Sequence, residues 1–171
     1  NYSLLLNAIK KLNASGRDVI LLIIGKDTSP NEKLKKSLMQ QNLTNVLFLG
    51  GKNNISDYLK CSDAFCLSSL YEGLPISLLE SFSVGVIPIC TPAGGVVDVV
   101  DEGVGFLSDG FGADDYFNIF NEFLDLTNSK RLQMQKNCIR LFEAKYTISI
   151  CADKYISLYK KEYHTQKQSV W

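Results

Sequence analysis

The residues best suited to do chemistry lie in one short run, Glu72-Gly73-Leu74-Pro75-Ile76-Ser77-Leu78-Leu79-Glu80. Proline has no N–H to lose in the first turn of a helix, so Pro75 predicts a helix from about Pro75 to Val84, and Gly85 supplies its stop. Gly73 gives the preceding loop freedom to turn tightly. Helical spacing then puts Glu80 on the face of Ile76 and Ser77, with Glu72 in the loop just ahead. A helix start presents unpaired N–H groups and the positive end of the helix dipole, which together suit a phosphate. Carboxylates repel phosphate but accept well from hydroxyls. A ligand carrying both a diphosphate and sugar hydroxyls would satisfy every group in the run. Two glutamates eight residues apart also arise by chance, and a glutamate in a second helical turn is ordinarily just solvated. The weight therefore rests on the string from Glu72 through Gly85 to Pro88 and on its place between two apolar strands.

The elements that must hold this run alternate between two periods. Leu4, Leu5, Ala8, Ile9 and Leu12 recur at helical spacing and lead through a turn into Val19 to Ile24, a strand apolar on both faces. A helix over Glu32 to Gln40, a strand over Val46 to Leu49, a short helix from about Ser56 to Cys61 and a strand over Ala64 to Leu67 follow. After the Glu72 run come strands over Val86 to Ile89 and Gly105 to Leu107, then three helices, Ala113 to Leu126, Lys130 to Ala144 and Ile148 to Tyr163. Strands that are apolar without alternation and separated by helices imply an α/β fold, a Rossmann-like doubly wound parallel sheet covered on both faces. Ligands of such sheets bind beyond the C-terminal ends of the strands. One domain over 1–163 and a flexible tail over 164–171 are expected.

Composition narrows the classes. With 18 basic and 18 acidic side chains among 171 residues, no nucleic-acid footprint is expected. Val19 to Ile24 and Val46 to Leu49 are too short to cross a bilayer and no signal-peptide pattern opens the chain, so a cytoplasmic protein is expected. The five cysteines, Cys61, Cys66, Cys90, Cys138 and Cys151, include no C-x-x-C pair and read as free thiols, with Cys66 and Cys90 buried. The single histidine, His164, has no second ligand at a useful spacing, and no metal site is expected.

The run and its surroundings resemble the C-terminal domain of the family 4 glycosyltransferases of the GT-B fold. That domain carries E-G-x-P-x-x-x-x-E, then G-x-P, then a Gly-Gly loop; here these are Glu72, Gly73, Pro75 and Glu80, then Gly85-Val86-Ile87-Pro88, then Gly94-Gly95. Gly103 and Gly105 match the next glycine pair, and Val46 to Gly50 and Ser62 to Phe65 resemble two upstream strands of the family. The resemblance covers the first two-thirds of the chain. It implies that Glu72 contacts hydroxyls of the donor sugar and acts in transfer, and that Glu80 accepts from the ribose hydroxyls. Backbone N–H groups near Leu74 and Ile76 would face the diphosphate, Gly50 and Lys52 would lie near the base, and Gly94 and Gly95 would bring backbone close to the donor. The implied donor is a nucleoside-diphosphate sugar, used without a metal or other cofactor and with retention of configuration. The acceptor, a sugar or lipid of cell-surface polysaccharide or lipopolysaccharide synthesis, would reach the site through an N-terminal domain. Any contact with the inner face of the membrane would be made by that domain.

Three departures bear on this expectation. Ser68-Ser69 stands where Pro-Ser is frequent, and Val97-Asp98 stands where Pro-Glu is common after the glycine pair. The chain also opens at Asn1-Tyr2-Ser3, past the point where the family has a first strand ending in G-R and a nearby lysine. That strand would be central in the sheet, and the two cations would neutralise the diphosphate. The isolated chain is accordingly expected to bind donor weakly and to be inactive alone. The alternative is a nucleotide-binding or interaction module with the same fold and no catalysis. A dinucleotide-dependent oxidoreductase is disfavoured, because Gly25-Lys26-Asp27 is no G-x-G-x-x-G. Finally, Tyr155, Tyr159 and Tyr163 form a stripe on the last helix, read either as an interdomain surface or as packing on the domain's own core, the latter favoured for Tyr155.

Overall fold

The computed structural model describes residues 1–26 and 43–168, with side chains through Lys161. The helix expected over Glu32 to Gln40 and the side chains of Tyr163 and His164 lie outside the described residues. The chain runs α1 (Tyr2–Ala14), β1 (Leu21–Ile24), β2 (Val46–Gly50), α2 (Ile55–Lys60), β3 (Ala64–Leu67), α3 (Ile76–Ser83), β4 (Ile87–Cys90), a 3₁₀ turn (Gly94–Val96), β5 (Phe106–Leu107), α4 (Ala113–Leu124), α5 (Asn128–Lys145) and α6 (Ile148–Gln168). Helix α6 continues to Gln168, past the boundary at 164 where a tail was expected. No described helix is long and apolar enough to cross a membrane.

Every strand pairing is parallel. Among the described residues, however, the ladders form two sheets, β1–β2 and β3–β4–β5, rather than one. A shared core spans the division. Leu4, Leu5, Ala8, Ile9 and Leu12 of α1 pack with Leu21 and Ile23 of β1, Ile87 and Ile89 of β4, and Tyr116 and Phe123 of α4. The two helices are also tied at their surfaces: Lys11 pairs with Asp114, and Arg17 reaches Asp125 at 2.7 Å and Asn121 at 3.1 Å. Exposed ion pairs of this kind add little stability, so the burial of α1 against α4 is what holds the two sheets on one layer.

Strand β4 shows why sequence periodicity reads correctly here. Its alternate residues enter different cores, Ile87 and Ile89 towards α1 and α4, and Cys90 towards Leu78 and Phe82 of α3 and Cys138 of α5. Helices on both faces require a strand that is apolar throughout, and all four residues are buried. In β3, Ala64 and Cys66 turn to the first core and Phe65 and Leu67 to the second. In β1 and β2 the two faces differ among the described residues. Leu21, Ile23 and Val46 are buried, but Leu22 and Leu47 on the opposite face are 37% and 44% exposed. An apolar run cannot reveal whether one face or both will be covered.

Helix α3 ends as Gly85 predicts. Gly85 adopts φ 74°, its N–H donates to Phe82 O at 3.0 Å, and the Val86 N–H donates to Ser81 O at 2.9 Å, the pairing of a Schellman cap. A Cβ at Gly85 would also lie 3.0 Å from Ile139 Cδ1 and 3.2 Å from Gln135 O. Gly85→Ala is therefore expected to cost about 1–2 kcal/mol and to lower the thermal midpoint by roughly 2–8 °C in a scanning experiment.

All five cysteines are free; Cys90 and Cys138 are buried, Cys66 is half-buried and Cys61 and Cys151 are exposed. Burial pushes the Cys66 thiol from 9.0 up to about 11 and the Cys138 thiol up to about 12. A thiol reagent at pH 8 is expected to modify Cys61 and Cys151 in the folded protein and to reach the other three only on unfolding. The Cys66 and Cys138 thiols keep their protons in the folded state while the unfolded chain releases them near pH 9. Their contribution to stability is thus complete below about pH 9 and lost as pH rises through about 11 to 12.

Candidate functional site

The loop after β3 and the start of α3 bring together the carboxylates and N–H groups singled out by sequence. Pro75 is the N-cap residue, with φ −70° and ψ 129°, one position ahead of its expected place inside the first turn. The consequence is chemical. A proline N-cap has no side-chain oxygen, so no cap hydrogen bond closes the helix start. The Leu78 and Leu79 N–H groups turn back to the Pro75 carbonyl at 3.1 and 3.4 Å. Among the described residues, those of Ile76 and Ser77 have no protein acceptor.

The faces of α3 are well separated. Leu78, Ser81 and Phe82 are buried, whereas Ile76 is 75% exposed and Glu80 is exposed with it. Burial of Leu78, Ser81 and Phe82 fixes the rotation of the helix, and Glu80 shares the outer face with Ile76. Glu72 is half-buried in the loop, and the Ser69 hydroxyl donates to its Oε1 at 2.6 Å. Leu74, exposed beside it, leaves the backbone of the loop accessible. The uncapped helix start thus lies in the chain between a half-buried Glu72 and an exposed Glu80. This segment can accept hydrogen bonds from hydroxyls and donate them to an anion.

The other predicted residues divide. Gly94 and Gly95 start the 3₁₀ turn beyond β4 and press against the Glu72 loop: a Cβ on Gly94 would lie 1.9 Å from Glu72 O, and one on Gly95 would lie 2.5 Å from Gly73 O. Their close approach is thus to protein backbone. Gly50 ends β2 with φ 69° and accepts from the Gly25 N–H at 3.1 Å, and Lys52 is exposed just beyond it. Gly50 belongs to the other sheet and Lys52 to the loop that follows it, and no hydrogen bond among the described residues joins them to the Glu72–Glu80 segment. Tyr155, favoured as core packing, is instead 56% exposed, and its neighbour Tyr159 is 67% exposed. The two rings lie 6.2 Å apart on a helix whose described face turns outward.

Two residues that sequence reading passed over enter the site from behind. Ser69 holds Glu72, and Thr91, fully buried, donates from Oγ1 to the Ser69 carbonyl at 2.6 Å. A serine three residues before a loop carboxylate was the available signal for the first; nothing local marks the second. A separate cleft of about 390 Å³ lies between β5, α4 and α5, lined by Asp101, Glu102, Phe106, Glu122, Lys130 and Met134 among others. It contains none of the predicted residues, and its three carboxylates against one lysine oppose an anion.

Residues 1–140 match the family described as "Glycosyl transferases group 1". The chain is 32% identical over 145 residues to the Escherichia coli UDP-Gal:alpha-D-GlcNAc-diphosphoundecaprenol alpha-1,3-galactosyltransferase, covering 83% of this chain and 37% of that protein. Among solved structures it is similar to a glycosyltransferase from Rickettsia africae, with TM-score 0.85 and 19% identity over 92% of this chain and 43% of that one. It is also similar to Anabaena HepE in complex with UDP and glucose, with TM-score 0.78 and 21% identity over 91% and 44%. At these identities the structures speak for the fold, which is that of GT-B glycosyltransferases.

Proposed function

This chain belongs to the glycosyl transferases group 1 family, and from that premise we propose that it is the donor-binding domain of a retaining, family 4 glycosyltransferase. The observation that carries the proposal is the uncapped start of α3 flanked by Glu72 and Glu80. The Ile76 and Ser77 N–H groups receive the diphosphate, Glu80 accepts from the ribose hydroxyls, and Glu72 accepts from the sugar. Donors already aimed at the bridging oxygen stabilise the charge that develops as the sugar leaves, without reorganisation at that moment. The sugar moves with retention of configuration, and no step is assigned to a metal ion. Gly50, which ends β2, and Lys52 just beyond it are assigned to the base.

The chain spans 37% of the length of the Escherichia coli relative. We accordingly assign the acceptor, and the cations that neutralise the diphosphate, to parts of the full-length protein outside these residues. That relative acts on a diphosphoundecaprenol-linked sugar by its name, and polysaccharide assembly at the cytoplasmic face of a membrane is the role proposed here. Titration calorimetry of the full-length protein with UDP, GDP and ADP tests the reading. Saturable binding of one of them is expected, and it should be tighter than that of inorganic diphosphate. Absence of binding to all three would leave only the fold in place.

A further inference from the structure

We infer that Ser69, Thr91, Gly94 and Gly95 form a clamp whose role is to position the Glu72 carboxylate, an inference that rests on the donor-site reading above. The loop from Ser68 to Pro75 has no regular structure of its own, so a carboxylate on it would sample many rotamers unless something outside the loop restrained it. Two independent restraints are present, and both come from the chain just beyond β4. The first acts on side chains. Thr91 continues the β3–β4 ladder, its N–H donating to Leu67 O at 2.9 Å, and its hydroxyl donates to Ser69 O at 2.6 Å. This fixes Ser69, whose own hydroxyl donates to Glu72 Oε1 at 2.6 Å.

The second restraint acts on backbone. Gly94, at φ 52°, and Gly95 lie so close to the carbonyls of Glu72 and Gly73 that neither can carry a Cβ without moving the loop. Glu72 is thus held at its carbonyl and at one carboxylate oxygen, and Oε2 is left for a hydroxyl of the ligand. The glycine pair and Thr91 act through Glu72 and are positioning residues. A carboxylate ordered before the donor arrives spares the cost of ordering it on binding, and its aim matters most when the sugar is distorted towards transfer.

The test uses the full-length protein and three readouts: kcat/KM for the sugar donor, affinity for the free nucleoside diphosphate, and the thermal midpoint. Ser69→Ala is expected to lower kcat/KM roughly 10-fold, with diphosphate affinity within about twofold and the midpoint within about 2 °C of the parent. Ser69→Thr, which keeps the hydroxyl, should recover most of the loss. Gly94→Ala should lose roughly 100-fold, because the displaced loop carries Glu72 with it. A Ser69→Ala protein with unchanged kcat/KM, beside a Glu72→Ala protein that has lost activity, would overturn the clamp and leave the donor site standing. Loss of all three readouts in parallel in Ser69→Ala, or failure of Ser69→Thr to recover, would reduce Ser69 to a structural residue. Full activity in Glu72→Ala would remove the donor-site reading and the clamp together.

Discussion

Replacing Glu72 by alanine in the full-length protein is expected to reduce kcat/KM for sugar transfer by roughly 10–100-fold while leaving affinity for the free nucleoside diphosphate within about twofold. The split follows from where the group sits. Glu72 lies in the loop ahead of α3, one oxygen taken by Ser69 and the other available to a hydroxyl. A hydrogen bond to a charged acceptor contributes about 1.5–3 kcal/mol, and one that strengthens as the sugar distorts adds to the rate rather than to ground-state binding. The free diphosphate carries no sugar and should not register the loss. Steady-state kinetics beside calorimetry on the same variant separates the two quantities. A parallel loss of both would move Glu72 to the nucleotide.

Glu80→Ala is expected to show the opposite pattern, weakening the free nucleoside diphosphate by roughly 10–100-fold, with its share of kcat/KM lost through KM. Glu80 projects from the outer face of α3, whose rotation is fixed by burial of Leu78, Ser81 and Phe82. Because the carboxylate is exposed and anchored to no core residue, its removal should not move the thermal midpoint measurably. Unchanged affinity in calorimetry would remove the ribose role and leave Glu80 as a solvated residue. Glu80→Gln keeps the shape without the charge and should fall between the two.

How much of this was readable beforehand differs residue by residue. The strand at Ala64 to Leu67 was legible because its apolar run is bounded by polar residues, and α3 was legible because Pro75 and Gly85 punctuate it; the structure moves the proline by one position only. Covering helices made β4 apolar throughout, so its sequence announced them. The same type of run in β1 and β2 places Leu21, Ile23 and Val46 in the core, while Leu22 and Leu47 on the other face stay partly exposed. The division between β1–β2 and β3–β4–β5 is a matter of which edges pair, and no residue type encodes it directly.

The places of Glu72 ahead of α3 and Glu80 in its second turn could be read because their spacing from a helix start is local. The partners of Glu72 could not. Gly94 and Gly95 suggested a close approach, but a missing Cβ does not say what comes near, and here it is the backbone of Glu72 and Gly73. Thr91 is tied to Ser69 only through the parallel pairing of β3 and β4, a contact made across twenty-two positions of sequence. Tyr155 points to the same limit, since a tyrosine stripe identifies a face of a helix without identifying what lies opposite it.

The most direct test is a crystal structure of the full-length protein grown with a nucleoside diphosphate. Diphosphate oxygens are expected at the Ile76 and Ser77 N–H groups, with the Glu80 carboxylate at about 2.7–3.2 Å from the ribose hydroxyls. A nucleotide bound elsewhere, with the start of α3 vacant, would contradict the donor-site reading.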